Sequence, residues 1–182
     1  MNRLFRLLLT LNATLLLVIV FFVQNTYTLG HFFPGNSWFV NLPHFVSYVL
    51  YFAIPVLLTG TSILLSPLLG KDEFKKGDII SIEHANNSFL PSYLGYFFVA
   101  LSIANWESLL FVYGVLFIFT YKSQALYFNP LFLLFGFEFY NVKTLKGTTV
   151  FLISRNNYRY PDEVEIEKAF RINNYTFIER SK

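Results

Sequence analysis

The sequence predicts an all-α membrane bundle of about four transmembrane helices with a small β-rich cytoplasmic appendage at its C-terminus. Hydrophobic residues make up 54% of the 182 residues and charged residues only 14%, whereas a soluble domain is about 25% charged. The apolar residues lie in long runs before residue 122. Residues 141–182 are more polar and contain short runs of β-branched and aromatic residues, which favour strands.

Three units follow from this distribution. Residues 1–124 are expected to form the transmembrane domain, residues 125–140 an interfacial amphipathic segment, and residues 141–182 a cytoplasmic tail of β-hairpins. The boundaries follow the end of the last long apolar run and the change of composition after residue 140.

The first predicted span runs from Leu4 to about Val23 and supplies the roughly 20 apolar residues that cross a hydrocarbon core. Arg3 and Arg6 form a basic start that is also typical of a cleaved signal peptide. No small-x-small cleavage site follows the apolar run, so we expect the helix to be retained.

The second predicted span covers residues 45–65, and Pro55 and Gly60 interrupt it in a way that membrane helices tolerate. The third and fourth spans share residues 89–121. The only polar break in that stretch is residues 105–107, which predicts a tight helical hairpin, with one long tilted span as the alternative.

The segment that follows is apolar but brief. Pro130 opens and Gly136 closes a run that is too short to span a membrane. We expect it to lie in the interface or to pack beneath the bundle.

The tail shows the pattern of two β-hairpins. Residues 138–142 and 148–153 flank a turn that contains Gly147, and Asn173-Asn174 separates two further β-prone runs. Residues 163–167 alternate with period two, as a half-buried strand does. A short helix over 162–170 is the alternative, because Asp162 can cap it.

The positions of the 14 Lys and Arg residues predict the orientation. The loop 24–44 and the break at 105–107 contain none of them, so a four-span arrangement places every basic residue on one side. Three spans would put the basic tail outside, against the rule that basic residues face the cytoplasm. Both termini are therefore expected in the cytoplasm.

Three groups of residues are candidates for function. Polar and small residues within the spans favour close helix packing and a homo-oligomer; they are Asn12, Thr59, Gly60 and Ser62. For Asn12 a pore or substrate contact is the alternative.

The loop 24–44 is uncharged and aromatic, which indicates either interfacial anchoring or a surface that senses an external stimulus. The sensing candidates are Phe32, Phe33, Trp38 and Phe39. The tail is the candidate for docking a partner, by strand edges and by mixed charges. The docking candidates are Lys143, Lys146, Glu163 and Glu165.

Several classes of function are not expected. The absence of Cys removes thiolate nucleophiles, zinc–thiolate sites and disulfides. The net charge of +3 is too small to predict direct binding of nucleic acid. His31 and His44 lack the carboxylates or thiolates of a metal site, and no catalytic motif occurs. We therefore expect no enzyme and no cofactor.

Four stretches of the C-terminal half resemble a known family: residues 127–132, residues 136–140, Gly147 with 151–154, and residues 171–178. They are similar to KwaA, the membrane subunit of Kiwa anti-phage defence systems. The resemblance implies a homo-oligomeric, tetrameric sensor of phage attack in the bacterial inner membrane. Its cytoplasmic side would bind KwaB, a soluble DNA-binding effector.

The resemblance assigns no role to any single residue, and none of its motifs is catalytic. The residues alone leave two other functions open: a small oligomeric channel or transporter subunit, and a membrane immunity protein.

Overall fold

The computed structural model describes residues 2–86, 90–123 and 129–180. The helices in these ranges are α1 (Asn2–Gln24), α2 (Leu29–Phe32), α3 (Ser37–Val40), α4 (His44–Leu65), α5 (Leu90–Ser102), α6 (Trp106–Ser123) and α7 (Leu131–Leu134). The strands are β1 (Gly70–Phe74), β2 (Ile79–His84), β3 (Glu138–Thr144), β4 (Thr149–Ser154), β5 (Ile166–Asn173) and β6 (Thr176–Glu179). Short 3-10 turns cover Ser66–Leu68 and Pro161–Glu163.

The prediction of an all-α bundle with four spans is wrong. In the described part of the chain, two helical stretches, Arg3–Gln24 and His44–Leu68, are long and apolar enough to cross a membrane by length and composition. With 13 residues, α5 is only about 20 Å long, less than the hydrocarbon thickness of about 30 Å. The 18 residues of α6 include Glu107 in its first turn and Lys122 in its last, so the part between these charges is only about 21 Å long.

The second correction is a mixed six-stranded sheet, which is far larger than the predicted tail. Two of its strands, β1 and β2, come from the loop between the two long helices. The predicted start of the third span at residue 89, the predicted boundary at 124 and residues 125–128 of the interfacial segment lie outside the described residues.

The helices pack side by side around α1. Arg6 near the start of α1 donates to the Tyr121 carbonyl near the end of α6 at 3.0 Å. Gln24 at the end of α1 donates to the Leu101 carbonyl near the end of α5 at 2.8 Å. Thus α5 runs parallel to α1 and α6 antiparallel to it, so the predicted hairpin about residue 105 exists although its helices are short.

The sheet is strongly curled. Its order is β1-β5-β6-β4-β3-β2, and every pair is antiparallel except β4 with β6. A flat sheet of six strands is about 24 Å wide, yet the two edge strands are joined by residues 75–78 alone. That turn is closed by Asp78 N–H donating to the Lys75 carbonyl at 3.0 Å. The two edges therefore come together at this turn around an apolar interior.

Both predicted hairpins are present. Residues 145–148 join β3 to β4, and Gly147 there has the positive φ (80°) that favours glycine. Asn173 and the two residues after it join β5 to β6. The alternative helix at 162–170 is absent, because the 3-10 turn ends at Glu163 and β5 begins at Ile166.

One hydrophobic core joins the sheet to the helices. It combines side chains from the start of α1, the end of α4 and one face of the sheet, and includes Phe5, Leu69, Phe132, Phe139, Phe151 and Ile153. Arg180, just after β6, donates to the Ile63 carbonyl near the end of α4 at 2.6 Å. The sheet is thus seated where α1 begins and α4 ends, and it is no separate appendage.

Candidate functional site

A buried polar cluster connects the two long helices to the segment that leads into the sheet. It consists of Asn12 on α1, Thr59 on α4 and Asn129, and we call it the joint. All three residues are at most 1% exposed. The Thr59 hydroxyl lies 2.7 Å from the Asn12 amide, 3.0 Å from Asn129 Nδ2 and 2.8 Å from the Pro55 carbonyl oxygen.

The Asn12 amide pairs most completely with its nitrogen toward the Pro55 carbonyl, at 3.0 Å. Its oxygen then accepts from the Thr59 hydroxyl at 2.7 Å, from Asn129 Nδ2 at 2.8 Å and from the Thr59 N–H at 3.1 Å. Buried polar groups are stable only when they are hydrogen-bonded in this way. The Asn12 side chain is therefore occupied by helix packing, which argues against the pore contact that the sequence left open.

The sequence of α4 explains why α1 approaches it here. Its buried face carries small polar residues at helical spacing, among them Ser47, Thr59 and Ser62. The Ser62 hydroxyl donates to the Leu58 carbonyl four residues earlier, and the Thr59 hydroxyl lies 2.8 Å from the Pro55 carbonyl oxygen of the same helix. Small residues that satisfy their own hydroxyls let two helices pack closely.

The segment 129–135 reaches up into the helices from the sheet. Thr59 is six residues, about 9 Å, from the end of α4, and Asn129 meets it at that depth. Asn129 Oδ1 accepts from the Leu131 N–H at 3.0 Å and so begins α7. Three residues after Phe135 the chain enters β3. The joint therefore connects both long helices to β3, the neighbour of edge strand β2, over a very short path.

The four predicted packing residues lie at or next to the joint. Asn12 and Thr59 form it, Ser62 is buried beside it, and a Cβ added to Gly60 would sit 3.4 Å from the Phe135 ring. These contacts are within one chain, and packing between copies stays a prediction. Sequence reasoning missed Asn129; the signal was an Asn-Pro pair that opens an apolar run.

At the opposite end of α1, aromatic rings tie the loop 25–43 to the helices. Tyr27 stacks on Trp106 from the α5–α6 turn, with ring centroids 5.5 Å apart and planes at 19°. Phe22 near the end of α1 lies 5.2 Å from Phe32 and 5.7 Å from Trp106. We call these four residues the aromatic end. It holds the loop against α1 and the α5–α6 hairpin.

The predicted sensing residues divide into two kinds. Phe32 belongs to the aromatic end, whereas Phe33 and Trp38 point outward, and Trp38 is 64% exposed. Phe39 lies between the latter two, 5.4 Å and 5.0 Å from their ring centroids. The structure thus presents an exposed aromatic surface on an anchored loop.

The predicted docking residues lie at separate places on and beside the sheet. Lys143, Lys146 and Glu165 have exposed side chains, on β3, in the β3–β4 turn and just before β5. Glu163 lies in the 3-10 turn that packs against β2, the neighbour of β3. Its carboxylate accepts from the Arg159 and Tyr160 N–H groups, and these hydrogen bonds lower the pKa of Glu163.

The expectation of free strand edges in residues 141–182 is wrong. All four tail strands lie inside the sheet order, and the two edges are β1 and β2. Docking by strand addition would therefore use residues 70–84.

The curled sheet also holds a buried carboxylate that sequence reasoning missed. Glu179 is 5% exposed and accepts from the Ser154 hydroxyl at 2.5 Å, from Asn156 Nδ2 at 2.7 Å and from the Tyr158 hydroxyl at 2.9 Å. Burial, with the nearby carboxylate, raises the pKa of Tyr158 to about 12. The cluster holds the loop after β4 against the sheet. No group of three His, Asp or Glu residues arranged for a metal occurs among the described residues.

Comparison with known proteins gives one match. The family model described as "Anti-phage protein KwaA" matches residues 5–178, from the first turns of α1 into the last strand. The match includes both long helices, the joint and the aromatic loop. No curated protein and no solved structure matches the chain.

Proposed function

Because the chain belongs to the KwaA family of anti-phage proteins, we propose that it is the membrane sensor of a bacterial defence system. In this proposal it oligomerises, as a tetramer, and recruits the cytoplasmic DNA-binding effector KwaB. It acts by binding and conformational change and catalyses no reaction. α1 and α4 cross the inner membrane, with the sheet in the cytoplasm and the loop 25–43 outside.

The observation that carries this proposal is the joint. The aromatic loop and the sheet lie at opposite ends of α1, which is 23 residues or about 34 Å long. Between them, one buried hydrogen-bonded cluster contacts α1, α4 and segment 129–135, and that segment leads into β3. A shift of α1 against α4 breaks or remakes these bonds, so both ends are linked to one two-state element.

Charge supports the orientation. The 14 Lys and Arg residues include none in the loop 25–43. With two crossing helices, the start of α1 and the whole sheet lie on the same side, and all the basic residues there face the cytoplasm.

The exposed apolar residues support a membrane location and an oligomer. The most exposed ones on the helices include Phe45, Leu57, Leu64, Leu110, Phe111 and Phe119. Such an extent of apolar surface is covered in a folded protein by lipid or by other copies.

The chain has no Cys, so single cysteines can report the orientation. A Cβ at Gly35 meets open space among the described residues, and Lys146 is exposed in a turn of the sheet. In intact cells, a membrane-impermeant maleimide should label Gly35→Cys at once and Lys146→Cys only after permeabilisation. The opposite labelling order, or recovery of the protein in the soluble fraction, would refute the membrane arrangement.

Recruitment is tested in the same cells. Membranes that contain the chain should retain KwaB, and membranes without it should not. A soluble KwaB in both preparations would refute the recruitment part of the proposal and leave the membrane part standing.

A further inference from the structure

An apolar groove runs along α1 at the end of the molecule that bears the sheet. Nine side chains line it, all of them apolar, from α1, from the end of α4 with its 3-10 turn, and from α6. Its volume is about 650 Å³. Leu4, Leu8 and Leu11 form its floor, and their spacing places them on one face of α1.

The groove is open along its side in the part of the chain that the structure describes. Leu4 is 75% exposed and Leu68 is 57% exposed. From Leu4 to Leu11 it extends about 10 Å along the helix. Phe117 of α6 completes the lining.

Each of the three chain stretches that line the groove has a basic residue within five positions of a lining side chain. Arg3 precedes Leu4 on α1, Lys71 follows Leu69, and Lys122 follows Phe117 on α6. All three side chains are exposed. Arg6 also lies at this end and donates to the Tyr121 carbonyl at 3.0 Å, which brings the end of α6 beside the start of α1.

The nearest acidic residue in sequence to these lysines and arginines is Asp72, and Arg171 already pairs with it at 2.5 Å. None of the described ion pairs joins Arg3 or Lys122 to a carboxylate. This end of the groove is therefore cationic. An apolar channel with cations at one end matches a molecule that has a hydrocarbon chain and an anionic head.

We propose that this groove binds an acyl chain of an anionic phospholipid from the cytoplasmic leaflet, with the phosphate near Arg3, Lys71 and Lys122. The inference rests on the membrane location proposed above. A second copy of the chain fits less well, because a symmetric contact through this face would bring the same cations together. The acyl chain moves only from the apolar bilayer into an apolar groove, so its transfer gives little preference for one lipid. The preference for an anionic headgroup therefore comes from the cations.

The test is native mass spectrometry of the full-length protein in mild detergent with equal amounts of phosphatidylglycerol and phosphatidylcholine. Wild-type protein should retain phosphatidylglycerol preferentially. One basic residue near the headgroup region changes the preference about fivefold, so Arg3→Gln with Lys122→Gln should lower it roughly 25-fold. Lys76→Gln with Arg159→Gln, which removes the same charge from exposed positions outside the groove, should leave it unchanged.

A second pair of variants tests the groove itself. Leu8→Trp fills the channel and should reduce retention of both lipids. Leu57→Trp adds the same bulk at an exposed position of α4, 68% exposed, and should not. Equal retention of the two lipids by wild-type protein, or equal effects of the two Trp variants, would overturn the proposal.

An oligomer that dissociates in Leu8→Trp with unchanged lipid retention would also overturn it, because the groove would then be a contact between copies. The assay needs neither phage nor effector, so its failure is distinguishable from failure of the sensor proposal. A protein that is membrane-bound and recruits KwaB but shows no lipid preference contradicts only this inference.

Discussion

Replacing Thr59 with valine keeps the shape of the side chain and removes the hydroxyl at the centre of the joint. The loss leaves the buried amides of Asn12 and Asn129 each short of one hydrogen bond. An interhelical hydrogen bond in a membrane protein contributes about 0.6 kcal/mol on average, so two contribute about 1.2 kcal/mol. One fully unsatisfied buried polar group costs up to about 3 kcal/mol. We therefore expect the free energy of unfolding to fall by about 1–3 kcal/mol.

Thermal unfolding in mild detergent, followed by far-UV circular dichroism, measures this change. For a chain of this size the midpoint should drop by about 2–12 °C. Thr61→Val is the matched control, because the Thr61 side chain is exposed and its hydroxyl bonds only the Leu58 carbonyl of its own helix. Its midpoint should stay within about 1 °C of wild type. An equal drop in both variants would show that the loss comes from α4 itself and would refute the joint.

A double-mutant cycle sharpens the result. Asn12→Leu removes a partner of the same hydroxyl, so the destabilisation of Asn12→Leu with Thr59→Val should be smaller than the sum of the single effects. Contacting residues differ from additivity by about 0.5–3 kcal/mol. Additive effects would mean that the two side chains do not interact.

Three further changes test other parts of the molecule. The pKa of Tyr158 is raised to about 12, so the folded state favours the neutral phenol. The free energy of unfolding should therefore fall as the pH rises from about 10, the pKa of an unfolded tyrosine, through 12. Tyr158→Phe should remove that dependence in a series of melting curves at different pH values. Trp38→Ala with Phe39→Ala should leave KwaB on the membrane but reduce phage protection; loss of KwaB as well would disprove a purely sensory role. Lys143→Glu with Lys146→Glu should release KwaB into the soluble fraction without changing the melting temperature, and undiminished retention would move the docking surface to β1 or β2.

The elements that the sequence predicted well are those set by local pattern. The apolar runs locate α1 and α4, and turn chemistry at Gly147 and Asn173 locates both hairpins. Each of these signals lies within about 20 neighbouring residues, the range over which periodicity and turn propensity act.

The strand β1 carries no such signal, whereas the Ile-rich run of β2, residues 79–82, was overlooked. Residues 71–73 are all charged, which is unfavourable for a strand in isolation. Their pairing comes from contacts distant in sequence, such as Arg171 with Asp72, 99 residues apart. Charged residues on an edge strand are common because they prevent pairing with other chains. The same charges that argued against a strand are therefore explained by the edge position of β1 in the sheet.

The span count failed for a related reason. The apolar content of residues 89–121 was counted as two membrane crossings. However, α5 ends at Ser102 and α6 begins at Trp106, so α5 is too short, and α6 too polar at its ends, to cross a membrane. The joint was half predicted: Asn12 was expected to contact a neighbouring helix, but nothing local shows that Asn129, 70 residues from Thr59, returns to the same point.

The most direct test of the central claim is phage protection by Thr59→Val in cells that also carry KwaB. Thr61→Val and Tyr158→Phe are the controls, the first for the position on α4 and the second for a loss of stability outside the joint. We predict that Thr59→Val stays in the membrane and retains KwaB but loses protection, while both controls protect. Full protection by Thr59→Val, or equal loss in Tyr158→Phe, would contradict the account, because the joint would then contribute stability alone.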